Sequence, residues 1–198
     1  MKAITVMQPW ATLIAIGAKT IETRPAPPNG SMRPEGVRGL PGLAIEPGER
    51  IAIHAGATPP TEGLRLEQDG EMVETSFVVT NGALLDLCNS ESHYMHRGAV
   101  IATAVVEDAM PVEPMPRPSG DDFSTHGESV LFTRPGVLWG FDHGAGPYPL
   151  HPELPLGDFT LGRWGWLLGD VIPSDPVPVK GKQGVWQLPD GVAALVSP

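Results

Sequence analysis

Proline and glycine interrupt this chain so often that a long helix has few places to grow. Of 198 residues, 23 are proline and 24 are glycine, and an interior proline both removes a backbone donor and clashes with the preceding turn. That usage is well above average, so irregular connections take up much of the length. Short strands fit between the breaks better than long helices do. Hydrophobic residues make up 41% of the sequence, enough for the core of one ordinary domain or of a smaller domain carrying long inserts.

The most informative stretch is QPWATLIAIGAKTIETR, residues 8–24. It follows a β-branched run at residues 2–7 (KAITVM) that reads as a strand. Pro9 suits the first helical position, where its missing N–H is not needed. Trp10, Leu13, Ile14 and Gly17 then fall on one face at helical spacing, and Gly17 is a suitable C-terminal stop. Residues 20–24 favour an extended chain. In a strand, Thr20, Glu22 and Arg24 share one face and Ile21 and Thr23 the other, with Lys19 at the turn beside Glu22. The spacing from Gly17 is G-x-K-x-x-E-x-R.

Further on, residues 25–47 are rich in proline and glycine with little periodicity, which predicts a long surface loop or insert. Residues 50–55 (RIAIHA) resume strand alternation, Ile51 and Ile53 on one side and Ala52 and His54 on the other. Residues 58–74 are polar and turn-rich, and residues 76–88 are ambiguous between strand and helix. Residues 98–106 (GAVIATAVV) are apolar on both faces, as expected of a central buried strand. Residues 109–160 read as a second large insert of low regular structure. Residues 161–168 (LGRWGWLL) return to strand character, residues 172–179 suit an edge because of their prolines, and residues 184–188 (GVWQL) form the last strand. The final residues read as a frayed tail. Several strands, one early helix and no βαβ alternation predict a mainly β protein with few helices (α+β), built on a small barrel or strongly curved sheet.

The formal charge is −10, which argues against a protein that coats nucleic acid non-specifically by neutralising phosphates. The charge is unevenly placed: residues 1–50 carry net +2, residues 51–160 net −12, and residues 161–198 none. A local positive site therefore survives near the opening stretch. Cys88 is the only cysteine, so no internal disulfide forms, and a reducing compartment follows. With no secretory pattern and no apolar run of membrane-spanning length, a cytoplasmic protein without a membrane partner is expected.

A lysine beside a carboxylate in a partly dry pocket orients a polar heterocycle, or acts as a base if desolvation lowers its pKa. The competing reading of Lys19, Glu22 and Arg24 is an exposed ion pair of little energetic worth. His54, among small neighbours, reads as either a ligand contact or a hydrogen-bonded core histidine. Trp10, Trp164, Trp166 and Trp186 offer stacking surfaces for a base or core packing. Cys88, His93 and His96 (C-x4-H-x2-H) match none of the usual zinc patterns, so no metal or other cofactor is expected. A phosphate loop and a serine nucleophile elbow are both absent from the sequence.

Taken together, QPWA after the first strand, G-x-K-x-x-E-x-R, RIAIHA, G-x-V-I-A-T, GRWGWLL and the closing GVW resemble the ASCH domain, the activating-signal-cointegrator homology family. The resemblance covers residues 2–24, 48–56, 98–108 and 161–188 of a single domain spanning 1–198, and leaves out the inserts 25–47 and 109–160. It implies a PUA-like small β-barrel with a short N-terminal helix against it, and a cleft that binds RNA or a nucleobase-like ligand. On that reading Lys19, Glu22 and Arg24 line the cleft, with Gln8 and Trp10 at its helix end and His54 and Trp164 in its wall. One bacterial branch of the family hydrolyses N4-acetylcytidine with a lysine and a threonine nucleophile. Lys19 matches the lysine, but Glu22 stands where the threonine is expected, so an amidohydrolase would have to use Lys19 and Glu22 to activate water. Binding of RNA or a modified nucleoside or nucleotide is the leading expectation. The amidohydrolase is the alternative, and a non-catalytic module that meets a protein partner through the inserts is a third.

Overall fold

In the computed structural model the described residues are 1–29, 43–58, 66–68, 71–73, 95–114, 130–134, 137–141, 156–159 and 162–197, with backbone alone described for 66–68, 71–73, 113–114, 130–134 and 137–141. Strand β1 (Lys2–Val6) leads into helix α1 (Trp10–Ala15) and then strand β2 (Ile21–Arg24). Strands β3 (Glu49–Ala55), β4 (Leu66–Gln68), β5 (Glu71–Val73) and β6 (Ala99–Pro111) follow. Next come β7 (Glu113–Pro114), β8 (Val130–Arg134), β9 (Val137–Phe141), β10 (Trp164–Pro178), β11 (Val185–Gln187) and helix α2 (Asp190–Val196).

Six strands form one mixed sheet in the order β11-β1-β3-β6-β10-β2. β1 and β3 run parallel, and the other neighbours are antiparallel. The apolar run at residues 98–106 is the middle of this sheet. Its strand β6 is flanked by β3 and β10, and both of its faces are covered: Ala102, Ala104 and Val106 meet one core, Val100 another.

The sheet curls into a half-barrel. A flat sheet would separate β1 from β2 by four strand spacings, roughly 19 Å, far beyond the reach of an arginine side chain. Yet Arg24 of β2 donates from Nη2 to the Thr5 carbonyl of β1 at 2.8 Å. The bending is built into the ladders, where register shifts fall between Ile53 and His54 and at three places along β10; such bulges increase local twist and bend a strand.

The concave face holds the main core. Ile4, Val6, Ile51, Ile53, Val106, Trp166 and Leu168 pack there against Ala11 and Ile14 of α1. On the convex face Ala3, Ala52, Val100, Trp186 and Leu188 form a second core under Val196 of α2. A third cluster, Ile21, Met110, Val112, Phe159 and Leu167, backs the other face of β2.

Three local expectations need correction. The last residues are not a frayed tail: Asp190–Val196 is helical, because Val196 has the Trp186 cluster to bury against. Pro9 is the residue before α1, not its first helical residue, and the Gln8–Pro9 bond is cis. Within residues 109–160, β6 continues to Pro111 and β7, β8 and β9 pair as a separate antiparallel sheet, so that segment is more regular than its proline content predicts. The prolines of residues 172–178 are accommodated because β10 pairs there with β6 alone, leaving one side of the strand without a ladder.

Candidate functional site

The turn after α1 determines where the charges go. Gly17 adopts φ +77°, the left-handed conformation that ends a helix. The Leu13 carbonyl then receives both Ala18 N at 2.9 Å and Lys19 N at 3.1 Å. This folds the chain back so that Lys19 enters beneath the helix, where it is 1% exposed. Its ammonium donates to the Ile21 carbonyl and lies 3.7 Å from Glu22 Oε2.

Strand alternation does the rest. Glu22 is opposite Trp166 and Arg24 opposite Trp164 in the β2–β10 ladder. Both charged side chains therefore share the concave face with the tryptophans that pack on the main core. Glu22 Oε1 lies 3.0 Å from Arg24 Nε, though the Nε–H is not aligned for a hydrogen bond and has no other partner among the described residues. One carboxylate is thus held between two cations, and its side chain keeps 11% of its exposure.

Gln8 has a different job. It is fully buried; its Oε1 accepts from Thr12 N at 3.1 Å and Thr12 Oγ1 at 3.0 Å. Its Nε2 donates to the His96 carbonyl at 2.7 Å. The amide ties the start of α1 to the segment before β6 rather than facing outward. Trp10 and Trp164 are half-buried against the main core, one at the start of α1 and one beside Arg24. Trp166 is buried and donates from Nε1 to the Ala26 carbonyl at 3.0 Å.

His54 lies on the other side of the sheet. It is in register with Thr5 and Val100, facing the convex core, and its ring meets Trp186 edge-on at 5.6 Å. Its Nε2 donates to the Val179 carbonyl at 3.0 Å, while Nδ1 is buried with no partner among the described residues. Burial pulls its pKa below the usual 6.5, and the bond to Val179 opposes this in part. The Thr23 hydroxyl does not join the charges. Thr23 Oγ1 accepts from Asp158 N at 3.1 Å on the opposite face, and Thr20 is exposed. Cys88 and His93 lie outside the described residues, and His96 is exposed.

Two residues that hold the site in place were not among the site candidates read from the sequence. Thr5 takes Arg24 on its carbonyl, accepts Trp186 Nε1 on its hydroxyl at 3.2 Å, and donates that hydroxyl to the Lys182 carbonyl at 2.8 Å. Arg163 pairs with Asp158 at 3.2 Å and donates to the Thr23 carbonyl at 3.2 Å, bracing β2 from outside. Only the second had a local signal, the arginine of the GRWGWLL run.

The fold and site together define a mainly β half-barrel with a charged triad set into its concave core. No family model matches the sequence, and comparison with curated proteins gives no match. Among solved structures, the crystal structure of ASCH from Zymomonas mobilis aligns over 98% of this chain and 90% of that one, at 15% identity and a TM-score of 0.40. No helix among the described residues is long and apolar enough to cross a membrane.

Proposed function

We propose that the chain is a single domain that binds a nucleobase-bearing ligand, either a modified nucleoside or nucleotide or an unstacked base of RNA, on the face formed by α1 and β2. The observation that carries this reading is the burial of Lys19 and Glu22, with the half-buried Arg24 beside them, on the face of the main core rather than in solvent. Desolvating such charges costs several kcal/mol per ion, and hydrophobic residues of similar volume often do as well or better for stability. A triad kept there despite that cost is suited to hydrogen-bonding a polar heterocycle. In this reading Glu22 accepts from base N–H groups, Arg24 and Lys19 face a carbonyl or phosphate, and Trp10 and Trp164 supply apolar surface beside it. RNA sequence is read chiefly on unstacked bases, whose polar edges such a triad could meet.

Hydrolysis of an acylated base has less support, because Glu22 stands where the threonine is expected and the Thr23 hydroxyl is turned to the opposite face. Binding is tested by thermal shift and calorimetry across a panel of nucleosides, nucleotides and short RNAs, repeated with Glu22→Gln and Lys19→Met. Loss of binding in both variants is the expected result. A ligand-induced shift that survives both would place the site elsewhere. Incubation with N4-acetylcytidine separates binding from turnover.

A further inference from the structure

Between β10 and β11 the chain crosses the convex face as an irregular strap, residues 179–184. It lies over His54, which is 1% exposed. At one end Val179 N donates to the Gly98 carbonyl at 3.0 Å, and the Val179 carbonyl accepts from His54 Nε2 at 3.0 Å. Further along, Thr5 Oγ1 donates to the Lys182 carbonyl at 2.8 Å. Gly184, with φ +72°, turns the chain into β11.

A carbonyl only accepts, so His54 Nε2 carries the ring hydrogen and Nδ1 presents a lone pair. A Cβ added at Gly181 would lie 2.3 Å from Cε1 and 2.6 Å from Nδ1, so glycine backbone closes off that edge of the ring. A bare lone pair is tolerated there. A second N–H is not, because a buried charged donor facing a glycine Cα has no acceptor and loses its hydration. The rest of the ring's surroundings cannot give way cheaply. Thr5 and Val100 are fixed in the β1–β3 and β3–β6 ladders, and Trp186 packs edge-on at 5.6 Å from β11. Past Val179 the strap has only the Thr5 bond to break.

The charges around the ring do not welcome a proton either. Thr5, Val100 and Trp186 carry none. Lys180 and Lys182 of the strap and Arg97 before β6 are exposed and share the sign of an imidazolium. Arg50, on the same strand as His54, is paired with Asp170, Asp175 of β10 and Asp190 of α2 are exposed, and no carboxylate contacts the ring among the described residues.

We propose that residues 180–184 form a pH-sensitive strap, which lifts off the convex face when His54 takes up a second proton, so that water can reach Nδ1. Val179 stays in place, because a charged imidazole donates more strongly to its carbonyl, and Gly184 supplies the second hinge. Lifting breaks the Thr5–Lys182 bond and uncovers the Trp186 side of the second core. The sign follows from linkage: burial lowers the His54 pKa in the closed form, so closure is complete above the open-form value of 6.5 and weakens as pH falls below it.

Hydrogen exchange of the full chain, followed by NMR from about pH 7.5 to about pH 5 and divided by the intrinsic rate at each pH, tests this. The open fraction should rise by up to about tenfold per pH unit from 6.5 down to the closed-form value. That loss of protection should appear at residues 180–184 and at the Trp186 indole N–H, and not at the β3 and β6 amides. His54→Gln, which keeps a donor for Val179, should abolish the pH dependence. Reciprocally, Thr5→Val removes the strap's tether and should move the His54 titration toward 6.5. The proposal is overturned if protection of the strap is unchanged through the titration of His54, or if His54→Gln loses it equally. Loss spread evenly over the whole sheet, or a His54 that stays neutral until the chain unfolds in acid, would overturn it too. Should His54→Gln fail to fold, the Thr5→Val titration decides alone, and an unmoved His54 pKa there counts against the strap.

Discussion

Replacing Glu22 with glutamine is the sharpest test of the buried triad. Lys19 is 1% exposed and its ammonium lies 3.7 Å from the Glu22 carboxylate, so the substitution leaves a cation in the core facing a neutral amide. Breaking one half of a buried ion pair costs about 3–5 kcal/mol. The lower end applies here, because the Glu22 side chain retains 11% exposure and Lys19 keeps its bond to the Ile21 carbonyl. About 3 kcal/mol lowers the melting temperature of a chain of this size by roughly 6–12 °C. Urea denaturation should show the same loss as a lower midpoint with an unchanged slope. The companion variant is Lys19→Met, which removes the stranded ammonium. A K19M/E22Q double variant should regain most of the loss, giving a coupling of about 2–3 kcal/mol in the double-mutant cycle. If Glu22→Gln is as stable as wild type within 0.5 kcal/mol, or if the two changes simply add, the pair is not coupled in the core and the reasoning fails.

Three further outcomes follow from contacts elsewhere in the sheet. Gly181→Ala places a Cβ against His54, which is too enclosed to yield, so a loss of about 1–3 kcal/mol is expected by chemical denaturation; an unchanged midpoint would show that the 179–182 segment does not press on the ring. Because His54 has a lowered folded pKa, its contribution to stability is complete above the unfolded pKa of 6.5 and is lost as pH falls from there toward the folded value. His54→Gln, which keeps a donor for the Val179 carbonyl, should therefore flatten the melting temperature profile just below pH 6.5, and an identical profile in the variant would refute the assignment. Gln8→Ala strips partners from the His96 carbonyl and from Thr12; a loss of about 1–3 kcal/mol is expected in melting experiments, and a neutral result would mean that water replaces the amide.

How much of this could be read in advance depended on whether a local period or a long-range closure decided the matter. Alternation alone put Glu22 and Arg24 together and Thr23 opposite them, and the ladder to β10 does so. Alternation also separated His54 from Ile51 and Ile53. It could not say which of the two faces becomes concave, since curvature arises from bulges spread over β3, β6 and β10. For that reason His54, placed in the cleft wall by resemblance, belongs to the convex core. Gln8 misled for another reason: a glutamine before a helix looks available, and only the position of His96 shows that its amide is already used. The closing helix was missed because DGVAALV is too short to be stable on its own. Burial of Val196 against the Trp186 cluster supplies what propensity lacks.

The same distinction between ladder and side chain explains why the charged face sits where it does. Pairing of β1 with β11 stops at Ile4, and β1 and β2 share no ladder. The half-barrel is therefore closed at this seam by a side chain: Arg24 Nη2 on the Thr5 carbonyl, next along β1. A seam made of backbone hydrogen bonds would be continuous and would leave no gap for a ligand edge. One made by a guanidinium is discrete, and the same group also lies 3.0 Å from the Glu22 carboxylate. Arg24 thus links the geometry of the closure to the charge of the triad, and Glu22 holds the guanidinium in the position that reaches Thr5. If a ligand contacts Glu22 or Arg24, as proposed, it acts where β1 and β2 are joined by a side chain rather than by a backbone ladder.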